Sequence, residues 1–338
     1  MKILIYKGDY DLVKQSGVGQ AIEHQEKALK LNNIDYTTDE TDDYDIVHIN
    51  TIMPKSKNFG RKAKKQGKKV IYYGHSTMED FRNSFRGANL LSRLFKKWII
   101  SCYNIGDIII TPSQYSKNIL EGYGINKKIY SLSNGIDLDK FKGDKDSRKR
   151  FRNKYNLKDD DKVIISVGHL MKRKGLDDFI EVARELPQYK FIWFGHTNPK
   201  LLTTQIKKAI KNKPDNVIMA GYVDQKELVD CYRGSDLFLF MTREETEGIV
   251  LLEAFASKIK VLVRDIKIYE NMFTDGKEVI KAKTNDEFKN KIVNIINGKY
   301  STVEEAYRYV KERSVQKIGE KLKSIYLKLE DGQFLVTS

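Results

Sequence analysis

The chain has 338 residues, a formal net charge of +15 and a hydrophobic content of 40%. This length allows two domains that each bury a core, and no apolar run approaches a bilayer span, which argues against a transmembrane protein. The N-terminus enters a strand-like pattern without the long apolar core of a signal peptide, and Cys102 and Cys231 lack metal-ligand spacing, so we expect a reduced, cytoplasmic protein.

Ten short apolar runs, separated by helical patterns, predict strands along the chain. Most are continuous runs of Ile, Val, Leu and Phe, which is typical of parallel strands buried on both faces. In chain order the runs are Lys2–Tyr6, Asp45–Ile49, Lys69–Tyr73, Asp107–Thr111, Lys128–Leu132, Val163–Val167, Phe191–Phe194, Val217–Ala220, Leu237–Met241 and Lys260–Val263. The helical patterns include Gln20–Leu31, Ser116–Glu121, Leu176–Leu186 and Lys226–Arg233. This alternation predicts an α/β protein with doubly wound parallel sheets.

A change of composition over Lys140–Asp161 predicts the passage between two domains. Apolar residues become sparse there, and charged residues crowd together before the next strand begins. We therefore expect a first domain over residues 1–155 and a second over residues 156–312. The helical C-terminal segment, residues 313–338, is expected to pack back on the first domain.

Glycines and histidines follow several predicted strands, at the edge where ligands bind in open α/β sheets. Gly17 and Gly19 come after the first strand, His75 follows the third, and Gly168 and His169 follow the sixth. Any one histidine at such a place is more often structural than functional. The shared placement of these residues nevertheless predicts a cleft between the domains, lined by the facing edges of both sheets.

The segment Glu245–Glu253 places a polar turn between an apolar strand and an apolar helix. Backbone N–H groups at the start of such a helix attract anions at the mouth of a parallel sheet. Since the two acids are about two helical turns apart, both carboxylates are expected on roughly the same face. We interpret the segment as a site for a nucleotide diphosphate with a sugar attached. The alternative is a solvated acidic turn followed by a surface helix.

Two further segments have residues that suit a phosphate site. Lys172–Gly175 puts cations beside the start of the helix Leu176–Leu186, which favours binding of a diphosphate leaving group. Solvated lysines are the alternative. Ser16–Gly19 allows close approach of the backbone to a phosphate or sugar. It is not a full dinucleotide fingerprint, because no acidic residue ends the next strand.

Asp-x-Asp pairs can hold a divalent cation on a sugar nucleotide. The chain has three such pairs, Asp43/Asp45, Asp137/Asp139 and Asp144/Asp146. The first pair opens a strand at the wrong edge of its sheet, and the third lies in the passage between domains. The second is explained equally well by a turn. We therefore expect that no metal or other cofactor is required.

The motifs together resemble those of the retaining glycosyltransferases of family 4, also called group 1. Their Glu-x7-Glu signature matches Glu245 to Glu253, and their Gly-Arg-Leu-x-x-x-Lys-Gly element matches Gly168–Gly175. An Asn-Gly-[Ile/Val]-Asp element begins at Asn134. The resemblance implies the GT-B fold, in which two Rossmann-like domains with doubly wound parallel sheets face each other across a cleft.

The same resemblance implies roles for individual residues. The donor-binding residues would be Gly17, Gly168, His169, Gly248, Ile249, Val250 and Glu253, and the catalytic residues would be His75, Arg173, Lys174 and Glu245. Glu253 would hold the ribose hydroxyls, while Lys174 and Arg173 would neutralise the departing diphosphate. The transferred sugar would keep its anomeric configuration. Two departures from the family pattern are His169, where an Arg is usual, and Glu247 with Thr246, where an aromatic is often found.

The positive charge lies mainly in the first half of the chain. Residues 1–158 carry 30 basic and 18 acidic side chains, whereas residues 159–338 carry 31 and 28. Eight basic residues and no acid lie between Pro54 and Met78, in the cluster Lys55–Lys69. Next, Arg86–Tyr103 would form a basic helix with an apolar stripe of Leu91, Leu94, Phe95, Trp98 and Ile99. These adjoining segments predict binding to an anionic membrane surface. The alternative is a helix that packs its stripe on the sheet.

The whole chain is also similar to the bacterial diglycosyl-diacylglycerol synthases, which add a second hexose to monoglucosyl-diacylglycerol. The similarity is clearest in Lys2–Ile22 and in Asp43–Asn50. It implies UDP-galactose or UDP-glucose as the donor and a membrane glycolipid as the acceptor. It also implies an enzyme bound peripherally to the inner face of the cell membrane.

Three other functions are compatible with parts of the sequence. The same type of glycosyltransferase could act on a protein or on a polyprenyl-linked saccharide. A nucleic-acid-binding protein would explain the charge, but the basic stretch lacks interleaved aromatics and a recognition signature, so we expect no nucleic-acid partner. An inactive partner subunit would explain the departures at His169 and Glu247.

Overall fold

The computed structural model describes residues 1–331, and these form two six-stranded sheets in which every neighbouring pair of strands is parallel. The first sheet has the order β2-β1-β3-β4-β5-β6. Its strands are β1 (Ile3–Tyr6), β2 (Tyr36–Thr37), β3 (Ile46–Ile49), β4 (Lys69–Tyr73), β5 (Ile108–Thr111) and β6 (Lys128–Ser131).

The second sheet has the order β12-β11-β10-β7-β8-β9. Its strands are β7 (Val163–Val167), β8 (Lys190–Phe194), β9 (Val217–Gly221), β10 (Leu237–Phe240), β11 (Val261–Arg264) and β12 (Ile280–Ala282). Read from β9, this is the strand order 3-2-1-4-5-6 of dinucleotide-binding folds. The first sheet instead follows the other common doubly wound order, which begins 2-1-3.

Helices connect the strands and cover both faces of each sheet. They are α1 (Tyr10–Val13), α2 (Gly17–Leu31), α3 (Pro54–Lys65), α4 (Met78–Phe81), α5 (Ala88–Tyr103), α6 (Gln114–Glu121), α7 (Ser147–Lys154), α8 (Leu176–Arg184), α9 (Thr204–Lys211), α10 (Gln225–Gly234), α11 (Ile249–Ala256), α12 (Lys267–Glu270), α13 (Asn285–Ile296), α14 (Val303–Lys311) and α15 (Val315–Glu330). Among residues 1–331, no helix is both long and apolar enough to cross a bilayer.

The strands consist of continuous apolar runs because both of their faces are buried. In β5, Ile108 and Ile110 pack in a core with residues of α2 and α15, whereas Ile109 packs on the opposite face with residues of α3 and α5. Successive side chains of a strand point to opposite faces, so a strand between two helical layers must be apolar at every position.

The α/β fold class and all ten predicted strands are confirmed, with ends shifted by at most one residue at each end. Two strands at the edges of the sheets, β2 and β12, were not predicted. The first has only two residues, and the second contains Lys281 between Ile280 and Ala282. Runs this short contain too little apolar periodicity to be recognised, and pairing with a neighbouring strand decides their conformation.

The C-terminal helix returns to the first sheet. Helix α15 packs on α2, and the Tyr326 hydroxyl lies 2.9 Å from His48 Nδ1. A backbone hydrogen bond also links the loop after β6 to the residues after α14, because the Ile136 N–H donates to Arg313 O at 2.9 Å. Helix α7 precedes residue 155 but packs on α10 of the second sheet. The boundaries at residues 155 and 312 stay predictions, and residues 332–338 of the predicted tail lie outside the described chain.

Candidate active site

A cavity of about 390 Å³ lies between the carboxyl ends of the two sheets. Its volume falls within the roughly 300–1,000 Å³ of typical ligand pockets. The loops after β7 and β10 flank the point where the strand order of the second sheet reverses, which is where doubly wound sheets bind ligands. All eleven residues predicted for the site line this cavity: Gly17, His75, Gly168, His169, Arg173, Lys174, Glu245, Gly248, Ile249, Val250 and Glu253.

Two helices begin at the cavity from opposite sides. Helix α2 starts at Gly17, and a Cβ atom added there would lie 3.8 Å from Ile249 Cδ1, at the start of α11. The Ser16 side chain accepts no hydrogen bond from the first turn of α2, and Gly248 has no side chain that could cap α11. Both N-termini therefore direct backbone N–H groups and the positive end of a helix dipole towards one space, which favours an anion.

Lys174, which is partly buried, forms an ion pair with the buried Glu245 in the wall of the cavity. Glu245 Oε1 also accepts a hydrogen bond from the Thr242 hydroxyl at 3.0 Å. Burial opposes the charge of Glu245, but Lys174 and Arg173 outweigh it, so the pKa of Glu245 is lowered. Burial likewise lowers the pKa of Lys174, and Glu245 acts against that shift. The site thus holds a cation whose burial is compensated by an adjacent carboxylate.

Gly175 is required for the path of the backbone beside Lys174. Its φ is +78°, and a Cβ atom there would lie 2.2 Å from Met241 O. Any side chain would therefore both strain the backbone and collide with the end of β10. This close approach brings the loop after β7 against the loop after β10, which allows Lys174 to reach Glu245.

Arg173 is buried and connects the second half to residues 80–84 of the first. Its guanidinium lies 2.6 Å from Asp80 Oδ1, and its Nε donates to the Ser84 hydroxyl at 2.9 Å. A third bond joins Nη1 to Glu244 O at 3.0 Å. Arg173 lines the cavity as predicted, but its charge is already paired with Asp80. A diphosphate would compete with this carboxylate for the guanidinium.

Glu253 lies in the second turn of α11 and lines the cavity. Its Oε2 accepts a hydrogen bond from the Tyr232 hydroxyl at 3.0 Å. Burial raises the pKa of Glu253 to about 7, and the bond from Tyr232 and the charge of Lys140 only partly oppose that shift. A buried carboxylate with spare acceptor capacity is suited to the hydroxyl groups of a ribose.

His75, after β4, is held in a neutral form. Its Nε2 lies 2.9 Å from Asn50 Oδ1, whose amide is itself paired with Gln25 at 2.8 Å. An amide oxygen only accepts, so Nε2 carries the ring proton and Nδ1 is the acceptor. The ring stacks on Tyr73 at 4.4 Å between centroids. Burial lowers the pKa of His75 to about 3, which keeps the imidazole uncharged at neutral pH.

His169, which stands where the family usually has an Arg, does not supply a fixed positive charge. Its Nδ1 lies 2.8 Å from His196 O, so that nitrogen donates and the neutral ring exposes Nε2 as an acceptor. Gly168 at the end of β7 bonds to Phe194 O at 2.9 Å through its backbone N–H. The cations of the cavity on this side are therefore Lys174 and Arg173.

Asp80, Asn134 and Glu247 are among the residues of the cavity wall that the sequence analysis did not predict as site residues. Asn134 belongs to a family element and Glu247 is a departure from one, so both had a signal in the sequence. Asp80 had none, because it lies in α4, which is a single turn without a recognisable motif. Its place in the wall depends on the contact with Arg173 across the cleft.

The predicted Asp-x-Asp pairs are partly used in ion pairs. At least one acid of each pair contacts a cation, in the pairs Lys68–Asp43, Lys27–Asp137 and Arg150–Asp144. Within residues 1–331, no three His, Cys, Asp or Glu side chains form a group that could hold a metal ion.

The predicted lysine cluster lies on α3 and on the turn that follows it, and part of it is used inside the protein. Lys57 is buried against α5, where its Nζ donates to the Ser101 hydroxyl at 2.6 Å. Lys64 and Lys68 form ion pairs with aspartates beside the first sheet. The cluster also contains basic residues that are exposed and form no ion pair within the described chain, namely Lys55, Arg61, Lys62 and Lys65.

Helix α5 combines the two alternatives that the sequence left open. Its second half packs inside the protein: Ile99 is fully buried, Phe95 stacks on Phe81, and Trp98 Nε1 donates to Ile52 O at 2.8 Å. Trp98 is therefore not part of an exposed stripe. The first half instead exposes three leucines, which are Leu90 (86%), Leu91 (46%) and Leu94 (64%). Exposed cations flank them at Arg86, Arg93 and Lys97.

Two family models match adjoining parts of the chain. The model described as "Glycosyltransferase Family 4" matches residues 30–140, and the model described as "Glycosyl transferases group 1" matches residues 147–314. Together they cover parts of both sheets and most of the cavity wall, but not its segment Gln15–Gln20.

Proteins of several bacteria are similar to this chain in sequence or in fold. A processive diacylglycerol alpha-glucosyltransferase of Acholeplasma laidlawii is 42% identical over 330 residues, which is 96% of this chain and 98% of the relative. An alpha-galactosylglucosyldiacylglycerol synthase of Streptococcus pneumoniae is 26% identical over 70% of this chain and 66% of its own. The crystal structure of Anabaena Alr3699/HepE in complex with UDP-glucose has a TM-score of 0.76 at 16% identity, covering 97% of this chain and all of the other.

Proposed function

The chain belongs to the family 4, or group 1, glycosyltransferases, and from this premise we propose that it transfers a hexose from a UDP-hexose to a glycolipid in a membrane. Monoglucosyl-diacylglycerol is the proposed acceptor, and a diglycosyl-diacylglycerol is the product. The relative with 42% identity is named a diacylglycerol glucosyltransferase, which supports this acceptor class and makes UDP-glucose the first donor to test, before UDP-galactose.

The observation that carries the proposal is the convergence of two uncapped helix N-termini and Lys174 on one cavity. A diphosphate in the cavity beside the starts of α2 and α11 would meet N–H groups from both halves of the molecule. Glu253 lies one turn further along α11, where it would accept hydrogen bonds from the ribose hydroxyls. This arrangement provides groups for the diphosphate and the ribose of a UDP-hexose.

The proposed reaction keeps the configuration of the transferred sugar. The bond between the anomeric carbon and the diphosphate oxygen breaks, and its electron pair leaves with the diphosphate. The acceptor oxygen bonds to the same face of that carbon, and its proton passes to the departing diphosphate. Lys174 and the two helix N-termini stabilise the charge that develops on the leaving group. Arg173 would assist after it separates from Asp80.

Glu245 and His75 would face the donor hexose from opposite halves of the molecule. Glu245 is ionised beside Lys174 and would accept hydrogen bonds from hexose hydroxyls. His75 is neutral, and its Nδ1 would accept a hydroxyl hydrogen near the acceptor. A neutral imidazole at this place adds no positive charge that would repel the oxocarbenium-like sugar in the transition state.

We further propose that the first half of α5 contacts the membrane, together with the unpaired cations of α3. The exposed leucines can enter the interface, while Arg86, Arg93 and Lys97 lie beside anionic headgroups. This face is close to the cavity, because Asn83 O, just before α5, accepts a hydrogen bond from the Arg173 N–H at 3.1 Å. A lipid acceptor would thus reach the site from the bilayer surface, with the enzyme peripheral on its cytoplasmic side.

The test is transfer of radiolabelled sugar from UDP-glucose and, separately, UDP-galactose into anionic liposomes that contain monoglucosyl-diacylglycerol. We expect a labelled diglycosyl lipid, formed with UDP-glucose and lost in Lys174→Ala. Hydrolysis of a UDP-hexose without a lipid product would contradict the acceptor and direct attention to a protein or polyprenyl-linked saccharide. If the wild-type protein neither binds nor hydrolyses either donor, the proposed activity itself is wrong.

A further inference from the structure

Glu247 links the donor-binding loop to the first half of the molecule at the floor of the cavity. It is 3% exposed, and its Oε2 accepts two hydrogen bonds from Asn134, one from the backbone N–H at 3.0 Å and one from Nδ2 at 2.7 Å. Asn134 follows β6, 113 residues earlier in the chain. The pair therefore ties the end of the first sheet to the loop that precedes α11.

These two bonds determine which atom of the Asn134 amide faces away from Glu247. A carboxylate oxygen has no proton and only accepts, so the Oε2 that accepts the backbone N–H accepts from the side chain as well. Consequently the amide nitrogen must point to Glu247, and the amide oxygen must point elsewhere. That oxygen, Asn134 Oδ1, is buried and has no hydrogen-bond partner within the described chain. Asn134 is 5% exposed and lines the cavity.

An unpartnered buried acceptor is costly unless a ligand satisfies it. The ligand must supply a hydrogen, and the cavity is proposed to hold the hydroxyl-rich hexose of the donor. A carboxylate at position 247 is costly too, since burial raises the pKa of Glu247 against the effect of Ser133 and Asn134. An aromatic side chain, as is often found near this position in the family, would avoid that cost but could not orient the amide.

We propose that Glu247 is a positioning residue, which fixes the Asn134 amide so that Oδ1 accepts a hydrogen bond from a hydroxyl of the donor hexose. This inference rests on the proposed UDP-hexose donor but not on the identity of the acceptor. Glu247 acts through Asn134, and Asn134 contacts the sugar.

The experiment is a double-mutant cycle of Asn134→Ala and Glu247→Leu, measured as kcat/KM for hydrolysis of UDP-glucose, which needs no lipid. We expect each single variant to lose about tenfold, the usual effect of one hydrogen bond to the substrate, and the double variant to lose no more than the larger single loss. Glu247→Gln retains an oxygen for both N–H donors and is expected to stay within about threefold of the wild type.

Binding of UDP, which lacks the hexose, separates this role from a structural one. The affinity for UDP, measured by calorimetry, is expected to change by less than about threefold in all three variants. Asn216→Ala is the matched control, because that buried amide donates to the carbonyls of Ala183, Leu186 and Tyr189 away from the cavity. It should lower the melting temperature without changing donor kinetics.

Three results would overturn the inference: losses that add in the double variant, a Glu247→Gln loss equal to that of Glu247→Leu, or an equal loss of affinity for UDP and UDP-glucose. A wild-type protein that hydrolyses UDP-glucose but transfers nothing to lipid would contradict the acceptor alone and leave the cycle measurable. A wild-type protein with no activity on any UDP-hexose would overturn the proposed function and this inference together.

Discussion

The two halves of the molecule meet at one cavity but contribute different side chains to it. The first half lines it with neutral groups and one charged residue, namely Gln15, Ser16, Gly17, Val18, Gln20, His75, Asn134 and Asp80. The second half supplies more ionisable side chains, which include Arg173, Lys174, Glu245, Glu247 and Glu253. Outside the cavity the first half is the more charged one, because most of the excess of basic over acidic residues belongs to it. The exposed leucines of α5 also lie in the first half.

This division separates two tasks that need different physical environments. A diphosphate leaving group needs buried, oriented charges, and these persist in a protein only when each has a partner. Contact with a membrane instead needs cations and apolar side chains that remain exposed on the protein surface. We therefore expect changes in the second half to affect chemistry and changes on the first half's surface to affect location.

Lys174→Ala should have the largest effect. Loss of the cation that faces the diphosphate is expected to lower kcat by about a thousandfold, measured with a saturating donor. Glu245→Ala should act in the same direction. The matched control is Lys154→Ala, because Lys154 pairs with Glu227 at 2.7 Å outside the cavity. Full activity of both cavity variants, with normal folding, would show that the second half does not hold the reacting diphosphate.

Glu253→Gln should weaken binding of UDP-glucose by about a hundredfold at pH 8, since ribose hydroxyls would lose an ionised acceptor. The pKa of Glu253 is raised to about 7 in the free protein, so wild-type affinity should increase as the pH rises from 6 to 8. Glu253→Gln should lose this dependence. Glu244→Gln is the control, because the pKa of Glu244 is also raised to about 7 but it does not line the cavity.

Glu253→Gln should weaken donor binding but increase the stability of the ligand-free protein. The folded pKa of Glu253 is above the ordinary value of 4.5, so its contribution to stability is present at low pH and lost as the pH rises through about 7. Glu253→Gln should therefore raise the melting temperature of the ligand-free protein at pH 8 more than at pH 5. Equal shifts at both pH values would contradict the buried, neutral state of this carboxyl.

Replacement of Leu90, Leu91 and Leu94 by Ser should affect location rather than chemistry. Loss of three apolar side chains from the interface is expected to weaken binding to anionic liposomes by about a hundredfold. Hydrolysis of UDP-glucose in solution should stay unchanged. The control is Leu31→Ser with Leu327→Ser, two leucines that are each 44% exposed elsewhere on the surface. If the control weakens liposome binding as much, the membrane surface has been assigned to the wrong face.

The smallest effect is expected from the cations of α3. Lys55→Ser, Lys62→Ser and Lys65→Ser together should weaken liposome binding by about tenfold at physiological salt, and by more at low salt. The control removes three exposed lysines of α9 in the second half, Lys207, Lys208 and Lys211. Equal losses in the two triple variants would indicate that net charge, and not the first half's surface, attracts the membrane.

Much of the fold could be read from the sequence because its signals are local. A strand covered on both faces must be apolar at each position, so runs such as Val163–Val167 identify themselves. The cavity residues could also be located, since glycines, histidines and acids after strands fall on one edge of a parallel sheet. The edge strands β2 and β12 could not be predicted, because their conformation depends on pairing and not on their own few residues.

The sequence by itself thus determined two parallel sheets, the strand ends that carry the site and a family whose motifs match them. Only the tertiary structure decided what each charged or amphipathic side chain contacts. Arg173 pairs with Asp80 of the opposite half, Trp98 packs inward while Leu90 remains outside, and Glu247 orients an amide 113 residues away. Periodicity and motif spacing record only neighbours along the chain, whereas these contacts join residues far apart in the sequence, and those of Arg173 and Glu247 cross between the two halves.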